Sequence, residues 1–251
     1  MVALVTGATS GLGKSLCYLL ASKNIPLIIT GRNEEELAHL KQTLPVHVVT
    51  CQADLSKSED RKKLIALIHE FTPDLVVNNA GFGLYGDALS HTTEEQMDIL
   101  RVDGNAVLEI TLEAARSLKM AGKPGTILNI SSAAAFFVFP KFSVYAAVKG
   151  FVKQVSMALD EEMKPLGIRV LTACPGQIKT SFRIHASKGV YHKPSRYAMC
   201  LKSASEHLWH QIQTGKQVYI FDARYRVMIV LSRLLPRPLV QKFMGKFVKD
   251  G

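Results

Sequence analysis

Short apolar runs alternate along the chain with longer segments whose apolar positions recur every three or four residues. The runs are VALVT (2–6), PLIIT (26–30), VHVVTC (46–51), DLVVN (74–78), GTILNI (125–130), IRVLTAC (168–174) and VYIF (218–221). Most are apolar throughout rather than alternating, as expected of strands in a parallel sheet buried on both faces. Between them the spacing predicts helices. Leu12, Leu16, Leu19 and Leu20 share one face after the first run, and NEEELAHLKQTL opens with acids that suit a helix N-terminus. Residues 57–71 place Leu64, Leu67, Ile68 and Phe71 together. A long helix is predicted over 93–121 with Met97, Leu100, Val107, Leu108 and Leu112 inward, and others over 143–164 and about 195–214. Residues 176–194 are less regular. Strand–helix alternation with right-handed crossovers gives an α/β, doubly wound, Rossmann-like parallel sheet that binds ligands at the carboxyl ends of its strands.

The 251 residues are enough for one large domain of this kind, and no interdomain linker breaks the pattern. A hydrophobic fraction of 47% with 21% charged residues is globular. Met1 leads directly into an apolar run without a basic leader segment, so no signal peptide is expected. No stretch approaches the ~18–20 apolar residues of a membrane span. Cys17, Cys51, Cys174 and Cys200 are scattered, without a C-x-x-C pair, so reduced thiols in a cytoplasm are expected rather than zinc or a disulfide framework. The charge is divided unevenly. Residues 1–182 hold 18 Lys/Arg and 18 Asp/Glu, and residues 183–251 hold 13 against 3, which accounts for the whole net charge of +10. The body is therefore neutral up to residue 182 and the basic excess lies beyond it; the domain is expected over 1–221, with a basic amphipathic extension over 222–251.

TGATSGLG (6–13) lies between the first strand and the first helix. Glycines there let the backbone approach a pyrophosphate, and the helix N-terminus offers free N–H groups. At the end of the second strand the sequence reads IITGRN, without the acid that would bind a ribose 2′-hydroxyl. Arg32 can fork onto a 2′-phosphate instead, which favours NADP(H) over NAD(H). Tyr145 and Lys149 are four residues apart and share a helix face.

TGATSGLG (6–13), NNAG (78–81), Ser132, Tyr145-x-x-x-Lys149 and Pro175-Gly176 occur in an order and approximate spacing that resemble a short-chain dehydrogenase/reductase. The resemblance spans the first strand to the sixth and implies a seven-stranded nucleotide-binding fold with NAD(P)-dependent oxidoreduction. It implies cofactor contacts at Gly7, Thr9, Ser10, Gly11, Leu12 and Gly13, at Arg32 and Asn33, and at Asp54 and Leu55. Further contacts are implied at Asn79, Ala80 and Gly81, at Pro175, Gly176, Ile178 and Thr180, and at Tyr145 and Lys149. Asp54 has a second reading as the cap of the following helix. Tyr145 is the expected general acid, or base in reverse. Its ordinary pKa is about 10, and the Lys149 cation favours the phenolate. Lys149 would also hold the nicotinamide ribose, and Ser132 the substrate oxygen, while Ser131 is expected to be structural. One departure stands out. Where the family usually carries a helix asparagine that helps bind a proton-relay water, this chain has Asp103 by register, with Asn105 as an alternative.

FFVFP (136–140) either borders an apolar substrate cleft or packs into the core or a subunit contact. Residues 181–194 would form a lid bearing Arg183, His185, Lys188, His192 and Lys193. The segment 224–250 mixes apolar and basic residues around a break at 236–238, and suits an anionic membrane surface, a cap over the cleft or a subunit contact. No nucleic-acid-reading motif is present. The resemblance implies a homodimer or homotetramer. The expected protein is an NADP-dependent reductase of an apolar carbonyl of ketone or 3-oxoacyl type, the cationic lid suiting an anionic or thioester-carried acyl group, or the reverse dehydrogenase, cytoplasmic or peripheral at a membrane. The rival is a cofactor-binding sensor or scaffold without turnover.

Overall fold

The computed structural model describes residues 1–190 and 198–235, the Arg233 side chain excepted. Seven strands form one all-parallel sheet: β1 (Ala3–Thr6), β2 (Leu27–Gly31), β3 (Val48–Gln52), β4 (Leu75–Asn78), β5 (Gly125–Ile130), β6 (Ile168–Cys174) and β7 (Val218–Ile220). Their order is β3-β2-β1-β4-β5-β6-β7, so the chain reverses its direction of travel between β1 and β4. Carboxyl ends on either side of such a reversal leave a crevice, which is where this architecture binds ligands. The central strands β1, β2 and β4 are buried at every position, which explains their unbroken apolar sequence.

The helices are α1 (Gly11–Ala21), α2 (Glu34–Thr43), α3 (Ser58–Phe71), α4 (Thr93–Ile99), α5 (Val107–Met120), α6 (Ser143–Met163), α7 (Phe182–Ala186), α8 (Leu201–Thr214) and α9 (Ala223–Leu234). One face of the sheet packs against α1, α2 and α8 through Leu16, Leu20, Leu40 and Leu208. The other packs against α3, α5 and α6 through Leu64, Ile68, Ile110, Leu118 and Leu159. Among the described residues no helix is long and apolar enough to cross a membrane.

Three expectations change. The helix expected over 93–121 is interrupted by a π-helical stretch, Leu100–Ala106, between α4 and α5. A π turn carries an extra residue, so the face set by a 3.6 period before it is not the face buried after it. Met97 and Leu100 are accordingly exposed, while Ile99, Asp103 and Gly104 are buried. The helix expected from about 195 begins at Leu201, because Met199 pairs in parallel with Ile178. The lid holds the short helix α7 within 181–190, whereas residues 191–194, with His192 and Lys193, lie outside the described residues. So does the extension beyond Leu235, including the expected break at 236–238.

Candidate active site

The site begins where β1 leaves the sheet. Gly7 and Gly11 take positive φ values of 65° and 50°, backbone that disfavours side chains. A Cβ on Gly7 would lie 2.8 Å from the Ala80 Cα, so the glycine turn rests directly on the segment leaving β4. The Thr6 hydroxyl accepts hydrogen bonds from the Asn79 and Ala80 backbone amides at 3.0 and 2.9 Å, and the Asn79 side-chain Nδ2 donates to the Thr6 carbonyl at 2.8 Å. Ser10 is the N-cap of α1, yet its side chain caps nothing, and no acid occupies the first turn. The dipole at that end of the helix is therefore answered by neither a side-chain cap nor a first-turn acid.

A cavity of about 710 Å³ runs from this turn along the carboxyl ends of the strands. Gly7, Thr9, Ser10, Gly11, Leu12, Arg32, Asp54 and Leu55 line one arm. Asn79, Ala80, Gly81, Ser132, Tyr145, Lys149, Pro175, Gly176, Ile178 and Thr180 line the rest. Three expected site residues do not. Gly13 is a packing glycine, since a Cβ there would lie 2.3 Å from the Gly7 carbonyl oxygen. Asn33 caps α2 by accepting from the Glu36 amide at 2.9 Å. Asp103 is buried behind Gly81, where a Cβ would come within 2.7 Å of its carboxylate. Asn105, the alternative to Asp103, is exposed. Asp54 does not cap the next helix: its carboxylate accepts from the Ser56 amide and hydroxyl at 3.0 and 2.8 Å, and α3 starts after Lys57.

Tyr145 lies in the first turn of α6 and Lys149 one turn later, both buried. The phenol ring stacks on Phe142 at 4.3 Å between centroids and leans on Phe182 at 5.5 Å. Ser132 takes the extended backbone just after β5, its hydroxyl accepts from the Ala134 amide, and it lines the cavity with the phenol. The Ser131 hydroxyl instead donates to the Lys149 carbonyl at 2.7 Å, which ties α6 to β5. Lys149 Nζ donates to the Ile130 carbonyl at 2.9 Å and lies 5.6 Å from the centre of the phenol ring. Its other neighbour is Asp103 Oδ2 at 3.0 Å, an ion pair whose alignment falls short of a hydrogen bond. Asp103 Oδ1 accepts from the Phe82 amide at 2.9 Å.

These contacts set the protonation of the site. Burial is the largest influence on Tyr145 and pushes its phenol above its usual value; Lys149 works against this and the Asp103 charge adds to it. The lowering expected from the Tyr–Lys spacing is therefore present but outweighed, because spacing along a helix says nothing of desolvation. Burial likewise holds the Asp103 carboxyl above its ordinary value despite Lys149 and the Phe82 amide. Burial opposes the Lys149 ammonium, but Asp103 and the phenol together leave it raised. The neighbouring Cys174 thiol is pushed up to about 12 by burial, which removes it as a nucleophile.

Sequence reasoning missed much of the aromatic wall. Phe137 and Phe139 from FFVFP line the cavity, whereas Val138 is exposed and Phe136 packs under Lys153. Phe82, Tyr85, Phe142, Phe182, Tyr225 and Met228 complete the wall. Phe142 carried a usable signal, since it precedes Tyr145 by three residues on a helical pattern. Tyr225 and Met228 come from α9 and carried none. Of the lid cations, Arg183 and His185 line the cavity, while Lys188 pairs with Glu95 at 2.7 Å.

Comparison with known proteins shows the family and the fold. The sequence model of the family described as short chain dehydrogenase matches residues 1–190. A sulfoacetaldehyde reductase from Chromohalobacter salexigens is 32% identical over 193 residues, 74% of this chain and 75% of that protein. Among solved structures, a short-chain dehydrogenase from Sphingobium yanoikuyae in complex with NADPH has a TM-score of 0.83 at 24% identity, covering 100% of this chain and 95% of that one. The closed form of a serine dehydrogenase complexed with NADP⁺ has a TM-score of 0.76 at 27% identity, covering 84% of this chain and 88% of that one.

Proposed function

The chain belongs to the short-chain dehydrogenase family of oxidoreductases, and from that premise we propose that it reduces a bulky, apolar ketone with NADPH, Tyr145 serving as the proton donor. The observation that carries this reading is the convergence of Tyr145, Lys149 and Ser132 at an aromatic wall beside the glycine turn. The positive-φ glycines and the uncapped start of α1 fit a pyrophosphate, and Arg32 fits a 2′-phosphate. NADPH held by the glycine turn and Arg32 would supply the hydride that the carbonyl carbon takes up. The chain's own residues manage the oxygen. Ser132, which accepts from the Ala134 amide at 3.1 Å, keeps its O–H as a donor to the carbonyl oxygen. Tyr145 gives the proton that the nascent alkoxide requires. Lys149 steadies the phenolate left behind, and Phe139, Phe142 and Phe182 exclude water from the exchange.

NADPH oxidation across ketones, aldehydes and 3-oxoacyl thioesters tests the reading. A bulky apolar ketone should exceed a short one by about tenfold or more in kcat/KM. A preference for short or strongly polar carbonyls would sink the assignment. Arg32→Ala should weaken NADPH binding by about 10- to 100-fold, the worth of charge-assisted hydrogen bonds, with NADH changed by less than about threefold. Equal losses for the two cofactors would mean that Arg32 does not read the 2′-phosphate.

A second reading, an NADP-binding sensor without turnover, is favoured by one observation: Asp103 already compensates the Lys149 charge. Assembly as a homodimer or homotetramer through α5 and α6 is supported by Phe151, which α6 leaves exposed. Four unpaired cysteines fit a reducing cytoplasm.

A further inference from the structure

The two faces of α9 differ. Tyr225, Met228 and Ile229 face the body. The Tyr225 ring covers Gly176 so closely that a Cβ there would lie 2.0 Å from it, and the Tyr225 hydroxyl accepts from the Gln177 amide at 3.3 Å. Met228 lines the cavity and Ile229 is buried. The opposite face presents Val227, Val230, Leu231 and Leu234, all between 49% and 76% exposed. Their spacing of three, four and seven residues makes one continuous apolar stripe. Arg224 and Arg226, both exposed, fall on opposite sides of that stripe around the helix, with the Arg224 guanidinium paired to Asp222. Residues 224–251 contain seven Lys/Arg and one Asp.

We propose that the outward face of α9 is a docking surface for an anionic lipid bilayer. A narrow stripe on one helix offers far less than the area of a stable protein interface. Flanking arginines can lay their stems along apolar surface and keep their guanidinium groups among headgroup phosphates. Self-pairing of the same stripe would set arginine against arginine, a like-charge contact that disfavours a second copy. The basic excess of the following residues points to the same anionic partner. Because the inner face of α9 walls the cleft, docking would bring the cleft beside the phase in which apolar carbonyl compounds concentrate. That consequence rests on the reductase reading, whereas the docking does not.

Flotation of the full chain with vesicles of phosphatidylcholine alone, and of phosphatidylcholine with phosphatidylglycerol, tests the proposal. Binding should require the anionic lipid and fall as salt is raised. The double substitution Val230→Asp, Leu234→Asp should reduce it by about tenfold or more, with NADPH binding and melting temperature unchanged, since neither side chain touches the cleft or the core. Failure of the unaltered chain to float with anionic vesicles overturns the proposal, as does equal flotation of the variant. A change in molecular mass of the variant, with no vesicle binding by either protein, would make the stripe a subunit contact and likewise overturn it. NADPH oxidation without vesicles reads the reductase assignment separately.

Discussion

Tyr145→Phe is expected to lower the rate of carbonyl reduction by about 10³-fold, with NADPH affinity changed by less than about threefold. The substitution removes one oxygen and little else. The ring keeps its stack on Phe142 and its contact with Phe182, so the aromatic wall stays filled. Lys149 keeps the Ile130 carbonyl and Asp103, so the charge beneath the wall is unchanged. Ser132 keeps its bond from the Ala134 amide, and its hydroxyl still borders the cavity. Removing a hydroxyl that burial holds in its neutral form should leave the melting temperature within a few degrees of the parent. Single-turnover oxidation of bound NADPH by the best ketone would measure the loss directly. If the variant retained more than about a tenth of the parent rate, Tyr145 would not be the proton donor, since general acid catalysis contributes about 10²- to 10⁴-fold.

The fold was legible because buried parallel strands need apolar residues at every position. Runs such as LIIT and LVVN could be read without knowing their neighbours. The Tyr145–Lys149 pair was legible because its geometry lies within one helical turn. What escaped has three physical origins. A glycine that borders a cavity and a glycine that admits a backbone have the same sequence signature, so Gly13 could not be separated from Gly11. The π stretch at Leu100–Ala106 hid within a helical pattern, since one extra residue shifts the buried face without ending the helix. Contacts between distant elements leave no local trace: Asp103 meets Lys149 from another helix, and Tyr225 reaches Gly176 from α9. The protonation of the site depends on all three kinds of information, and so could not be read from spacing alone.

The Asp103–Lys149 pair bears on the direction of the chemistry. Carbonyl reduction needs the phenol protonated; its rate is full below the Tyr145 pKa and falls as pH rises through it. Alcohol oxidation needs the phenolate and has the opposite dependence. By adding to the effect of burial, the Asp103 charge keeps the phenol protonated to higher pH, which in the proposed reaction would extend the reductive rate to higher pH. Asp103→Asn removes that charge, and its side-chain carbonyl can still accept the Phe82 amide. The Lys149 charge would then act on the phenol uncompensated. The alkaline limb of reduction should move to lower pH, and oxidation near pH 7 should rise by about three- to tenfold. Leaving Lys149 without its carboxylate should also lower the melting temperature, because one partner of a buried pair is lost. Paired pH–rate profiles in both directions decide the matter. A limb that stays in place while stability falls would make Asp103 a structural anchor of Lys149. A chain that binds NADPH without turnover, and gains turnover only on Asp103→Asn, would identify the native protein as the cofactor sensor.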